Sequence, residues 1–149
     1  MEFHEVFTHL RRQMGYSQKE TAERLFVTRQ AVSRWERGET IPEVETLQAI
    51  SRLFGVSINT LLGSPRTLIC QNCGMPLTDD ILAKNPDGSF NERYCMWCWD
   101  GDSFSQDCTM DEMVEHCLPH MPLGRADPEA CRAYLRNLLP TLGRWKETT

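Results

Sequence analysis

Two close pairs of cysteines offer the clearest chemistry in the chain: Cys70-Gln-Asn-Cys73-Gly74 and Cys95-Met-Trp-Cys98, with twenty-one residues between the pairs. Two thiolates separated by two residues can both reach one ion from a tight turn. Two such turns supply the four ligands of a tetrahedral Zn2+. Gly74 allows the backbone to approach the sulfurs. Cys70, Cys73, Cys95 and Cys98 are therefore expected to hold one zinc per chain. Four thiolates fill the shell, so the site reads as structural.

Cys108, Cys117 and Cys131 have no such partner and read as small buried hydrophobes. His116 and His120 lie four apart, but Pro119 interrupts the helix that would align them, so surface or capping roles are expected. A thiol–disulfide oxidoreductase would need a CxxC pair in a βαβ setting. Neither pair is followed by a long helical pattern, and the chain is read as a non-enzyme.

A second constellation is polar and basic. Arg29, Gln30, Ser33, Arg34 and Arg37 fall on one face of a helix, opposite Val32 and Trp35. An Arg can donate two hydrogen bonds to guanine and a Gln can read adenine, each such pair giving roughly 1–3 kcal/mol of discrimination. Arg29, Gln30 and Arg34 are the expected base readers. Gln18 and Thr28 stand at helix starts, where free amides suit a phosphate oxygen. A solvated surface is the ordinary fate of charged helix faces, but the caps, turn and core around this one favour duplex DNA.

Those side chains need elements to position them. Residues 1–64 read as five short helices punctuated at Gly15, 26–28, 38–42 and 55–57. Ser17 with Glu20 forms a capping box and Thr28 caps the next helix. Ala22 sits where two helices cross closely, with Leu25, Val32 and Trp35 in a shared core. Pro42 suits the first turn of a fourth helix, whose stripe is Leu47, Ile50, Leu53 and Phe54 and whose C-terminal cap is Gly55. Gly63-Ser64-Pro65 marks a boundary, giving expected domains of 1–64 and 65–149.

From 70 to 101 turn residues dominate, and no helical stripe is long enough to make a core. Zinc can contribute on the order of 10 kcal/mol to folding such a segment. Thr109 and Glu112 form a second capping box, opening a helix over 109–118 with Met110, Met113, Val114 and Cys117 on one face. Asp127-Pro128 opens another over 127–139, with Cys131, Tyr134, Leu135, Leu138 and Leu139 apolar. Leu142 and Trp145 are expected to fold back as packing. The fold class is thus mainly α, with a five-helix domain followed by a small four-cysteine module carrying short strands and C-terminal helices.

Charge divides unevenly. Residues 1–64 hold eight Lys/Arg and eight Asp/Glu, whereas 65–149 hold eight and thirteen. A neutral first half permits DNA binding, because attraction to phosphate depends on the face presented, but it argues against strong non-specific affinity. The N-terminus carries Glu2, His4, Glu5, Arg11 and Arg12 where a secretory apolar run would lie, and no segment approaches a membrane span. A cytoplasmic protein is expected, with its cysteines reduced.

Residues 3–63 resemble the Cro/CI-type (XRE) helix-turn-helix family, through their helix order, the Ser17-Gln18 start and the run TRQAVSRWERG. The resemblance implies a lambda-repressor-like domain of five helices that inserts its third helix in the major groove, often as a dimer. One departure is Phe26, at a turn position the family commonly fills with Gly or another residue tolerating positive φ. Residues 68–121 and the tail resemble a bacterial zinc-ribbon family, through CQNCGMPL, YCMWCWDGDSF, TMDEM and LLPTLGRWK. It implies the same four ligands without supplying an activity.

The expectation is a sequence-specific transcription regulator, a repressor, that binds double-stranded DNA as a homodimer. Its zinc module would serve dimerisation, a protein partner or sensing. The alternatives are a redox- or metal-responsive switch through the cysteines and an antitoxin-like interaction protein.

Overall fold

Apolar residues recur at helical spacing through the first sixty positions, and in the computed structural model, which describes residues 1–146, they close into five helices: α1 (Phe3–Gln13), α2 (Gln18–Leu25), α3 (Arg29–Glu36), α4 (Val44–Phe54) and α5 (Ile58–Leu61). Ser17, Thr28 and Ser57 each turn a side-chain oxygen onto an orphan amide at the start of α2, α3 and α5. Gly55 ends α4 in the left-handed conformation. The fully buried Phe7 meets Trp35 and Phe54 edge-on, with ring centroids 5.8 and 5.7 Å away, so α1, α3 and α4 converge on one ring. Ala22, Leu25, Val32, Leu47, Ile50 and Leu61 complete that core.

Pro42 stands outside α4. Glu43 is the N-cap residue with extended backbone, and the helix begins at Val44. The proline is buried instead, so its role lies in packing and in ordering the approach to the helix.

The contacts divide the chain into two compact units, Met1–Thr67 with Asn85–Phe90, and Leu68–Lys84 with the segment from Asn91 onward. A two-stranded sheet, β1 (Leu82–Lys84) and β2 (Phe90–Cys95), in the second unit but for Phe90, precedes α6 (Met110–Cys117), α7 (Pro122–Ala126), α8 (Pro128–Leu138) and α9 (Gly143–Lys146). Single 3₁₀ turns at Leu118–His120 and Leu139–Thr141 follow α6 and α8, each with proline in its first turn. Thr109 caps α6 and Asp127 caps α8. The short α7 and α9 have no stripe long enough to announce them in the sequence.

Two small cores hold this unit. One gathers Met113, Val114, Cys117, Cys131, Leu135, Leu139, Leu142 and Trp145. The other surrounds the cysteine pairs with Ala83 and Tyr94. There Tyr94, Trp99 and Phe104 pack with ring centroids 5.1 to 5.2 Å apart. Cys117 and Cys131 are buried, and Leu142 and Trp145 do fold back. Tyr134, on the same helix as Leu135, is 49% exposed.

Candidate nucleic-acid interface and metal centre

The α2–α3 pair sets out a polar face. Thr28 Oγ1 accepts from the Ala31 amide at 3.1 Å and Ser17 Oγ from the Glu20 amide at 3.0 Å, which fixes where each helix starts. Val32 and Trp35 anchor α3 from below, so Arg29, Gln30, Ser33, Arg34 and Arg37 turn outward and border one concavity of about 410 Å³. The chain reaches that helix through Phe26, whose φ of 57° and ψ of 41° put a bulky residue in the left-handed region with its ring 95% exposed.

Arg37 is engaged within its own surroundings. Its Nη1 donates to Ser33 Oγ at 2.5 Å, and its Nε and Nη2 donate to the Glu39 carboxylate at 2.8 and 3.2 Å. The hydrogen bonds from Arg37 hold the Glu39 carboxyl below the usual carboxylate range. Glu39 thereby offsets the charge of Arg37, leaving Arg29 and Arg34 as the main positive contributors to this face.

Gln18 takes part in a different arrangement. Its Nε2 donates to Glu36 Oε2 at 2.9 Å. Glu36 also accepts from Arg11 Nε and, at 3.1 Å, from Arg11 Nη2, while Arg11 Nη1 donates to the Tyr16 carbonyl at 2.8 Å. The Arg11 and Glu36 side chains are 12% and 9% exposed. One carboxylate thus ties α1, α2 and α3 together beneath the polar face. The sequence reading passed over Glu36; its signal is a lone acid on an otherwise basic helix.

In the second unit the four expected cysteines come together, with every Sγ within 4.8 Å of the others. Each pair is held in a tight turn. The Gly74 amide donates to the Cys70 carbonyl at 2.8 Å and the Cys98 amide to the Cys95 carbonyl at 3.1 Å, and antiparallel bridges at Ile69–Pro76 and Trp99–Phe104 close the two loops. The Cys95 amide donates to Cys70 Sγ at 3.4 Å. Hydrogen bonds from Cys73, Cys95 and Cys98 drive the Cys70 thiol far below its ordinary pKa, and those to Cys70, Cys95 and Cys98 drive Cys73 far above. Four sulfurs crowded around one point, with an amide donated to them, match the donor set of a single tetrahedral zinc. Cys70, Cys95 and Cys98 are buried and Cys73 is half-buried.

Gly74 has a role beyond approach to the sulfurs, in a backbone conformation that side chains rarely adopt. Its φ is +78°, and a Cβ added there would stand 2.6 Å from Leu138 Cδ2. The first knuckle therefore lies directly against α8. His116 and His120 are exposed and do not join the cysteine cluster.

Comparison with known proteins also finds two families along the chain. The family described as "Putative zinc ribbon domain" matches residues 69–146, and the helix-turn-helix family matches residues 9–61. The HTH-type transcriptional activator BcrR of Enterococcus faecalis is 44% identical over 62 residues, covering 42% of this chain and 30% of that protein. An uncharacterized prophage-derived HTH-type transcriptional regulator, YonR of Bacillus subtilis, is 33% identical over 86 residues, covering 49% of this chain and 80% of that protein. The HTH-type transcriptional regulator ImmR of Bacillus subtilis is 42% identical over 53 residues, covering 36% of this chain and 42% of that protein. The chain thus spans well under half the length of two of these three relatives. No helix among the described residues is long and apolar enough to cross a membrane.

Proposed function

Because the chain belongs to the zinc ribbon family and to the HTH-type transcriptional regulators, we propose that it is a sequence-specific, double-stranded-DNA-binding regulator of transcription that acts as a cytoplasmic repressor. The observation that carries the reading is the outward face of Arg29, Gln30, Ser33 and Arg34 on a helix whose other side is locked by Val32 and Trp35. A rigid helix with adjacent bidentate donors suits base edges in the major groove.

Arg29, Gln30 and Arg34 read bases; Ser33 and Arg37 support them at the edge of the face. The capped starts of α2 and α3, at Gln18 and Thr28, present amides to phosphate. Gln18, engaged by Glu36, contributes its backbone and its position more than a free side chain. Cys70, Cys73, Cys95 and Cys98 hold one zinc per chain, which folds the second unit and does not turn over substrate. A charge-neutral reader has modest affinity as a monomer, so stable binding uses two copies on paired half-sites, and the acidic second half remains open to a protein partner.

The test is selection of a bound duplex from a random pool, followed by titration of that duplex and a scrambled one. Wild type prefers the selected duplex; Gln30→Ala and Arg34→Ala each lose roughly tenfold or more of that preference. Equal binding of both duplexes by all three proteins sinks the reading.

The half-buried Cys73 favours a second reading, in which an oxidant reaches the zinc shell and alters DNA affinity. Peroxide that neither releases zinc nor changes operator binding rules it out.

A further inference from the structure

Trp97 and Tyr134 are large rings standing 57% and 49% exposed. Both border a single cleft of about 690 Å³ within the second unit, and three thioethers, of Met75, Met113 and Met121, line it as well. The walls come from the first knuckle, the second knuckle, α6 and α8, so the space is enclosed from several directions. No Asp, Glu, Lys or Arg is among the residues that line it, but Cys73, Cys95 and Cys98 are, so the thiolates of the proposed zinc shell form part of one wall.

We propose that this cleft binds a lipophilic, ring-bearing small molecule that carries no negative charge. Its size falls in the range of small-molecule sites, roughly 300–1,000 Å³. The two rings offer faces for stacking, and unbranched thioethers adapt to irregular apolar shapes. Gln106, His116 and His120 add the few polar groups that orient such a ligand. An anionic ligand would lose its hydration against these walls and would face the negative thiolate shell of Cys73, Cys95 and Cys98. A helix from another chain fits less well, since two turns about 10 Å across take up roughly 850 Å³. The proposal concerns the second unit alone and stands whether or not the first unit reads DNA.

N-phenyl-1-naphthylamine, a neutral fluorescent two-ring compound, serves as the probe against the zinc-loaded full chain. Saturable binding of one probe per chain is expected, with energy transfer from tryptophan. Tyr134→Arg, on an exposed position of α8, and Trp97→Ala are each expected to weaken binding by roughly tenfold, with one zinc per chain and the thermal melt retained. Absence of saturable binding by wild type overturns the proposal, as does unchanged affinity in both variants. Sedimentation of a dimer that Tyr134→Arg dissociates, and that excludes the probe, overturns it in favour of a second copy as occupant.

Discussion

The indole of Trp145 donates from Nε1 to the backbone carbonyl of Asn72 at 2.8 Å, so the closing helix α9 is fastened to the residue between two of the cysteines. The fastening is multiple. Arg144 Nη1 donates to Asn72 Oδ1 at 2.8 Å, and its guanidinium lies over the rings of Phe104 and Trp145. The Gly143 amide donates to Gln71 Oε1 at 2.8 Å and the Arg144 amide to the Gln71 carbonyl at 3.1 Å. The turn that presents Cys70 and Cys73 is therefore shaped by residues about seventy positions downstream. Trp145→Ala removes both a buried ring and that hydrogen bond, and is expected to cost about 3–5 kcal/mol and to hasten loss of zinc to a chelator. Trp145→Phe keeps most of the ring and loses about 1–3 kcal/mol for the unpaired carbonyl. Chemical denaturation and the rate of zinc transfer to a chromogenic chelator measure both. A Trp145→Ala protein that keeps wild-type zinc kinetics would separate the tail from the knuckle.

How much of this was legible in the sequence depends on distance along the chain. Ser17, Thr28 and Gly55 announce helix ends because a cap acts within three or four residues, and the CxxC pairs announce the metal cluster because two residues of spacing dictate the turn. Glu36 stands out only as a lone acid on a basic helix, and nothing local names its partners: Arg11 and Gln18 are brought by the helix crossing. The contact of Asn72 with Arg144 and Trp145 is equally invisible, since nothing local distinguishes an asparagine that will be buried by the far end of the chain. Pro42 fits the general preference for proline in a first helical turn, yet here Glu43 takes the N-cap and the ring packs inward. Tyr134 follows the apolar pattern of α8 and still faces outward, because Cys131 and Leu135 fill the core side.

Phe26 tests the cost of an uncommon turn residue. Its φ of 57° places Cβ against its own carbonyl, a strain of about 1–2 kcal/mol for a residue other than glycine, and its ring is 95% exposed, so little burial offsets it. Phe26→Gly relieves the strain but gives the unfolded chain more freedom, worth about 0.5–1 kcal/mol. A net gain of up to about 1 kcal/mol is expected, read as a higher melting temperature of the first unit. A lower melting temperature would mean that the exposed ring makes a stabilising contact after all.

The thiols are expected to differ in reactivity. Burial pushes Cys117 up to about 11, so at pH 8 about one thiol in a thousand is the nucleophilic thiolate. Reactivity at that site should climb about tenfold per pH unit until pH passes 11. Cys131 is fully buried, whereas Cys108 is half-buried, its thiol raised by partial desolvation. Iodoacetamide with zinc-loaded protein at pH 8 should therefore label Cys108 first and leave Cys117 and Cys131 largely unmodified. Removal of zinc by chelation should open all seven. Mass spectrometry of timed digests reads the order, and early labelling of Cys117 at pH 8 contradicts it.

Glu36 provides the sharpest test of how the polar face is held. It lies nearly buried and accepts hydrogen bonds from Arg11 and Gln18, so removing it leaves a guanidinium in a poorly hydrated place. Loss of one partner from a buried ion pair costs about 3–5 kcal/mol. Glu36→Ala should therefore destabilise the first unit by about that much. Arg11→Met together with Glu36→Leu replaces the pair by apolar groups of similar bulk and should recover a large part of the loss. DNA titration then distinguishes support from direct contact. If Glu36 acts by holding α2 against α3, the double variant regains operator affinity along with stability. If stability returns and affinity does not, the carboxylate or the side chain of Gln18 that it orients takes part in reading the duplex.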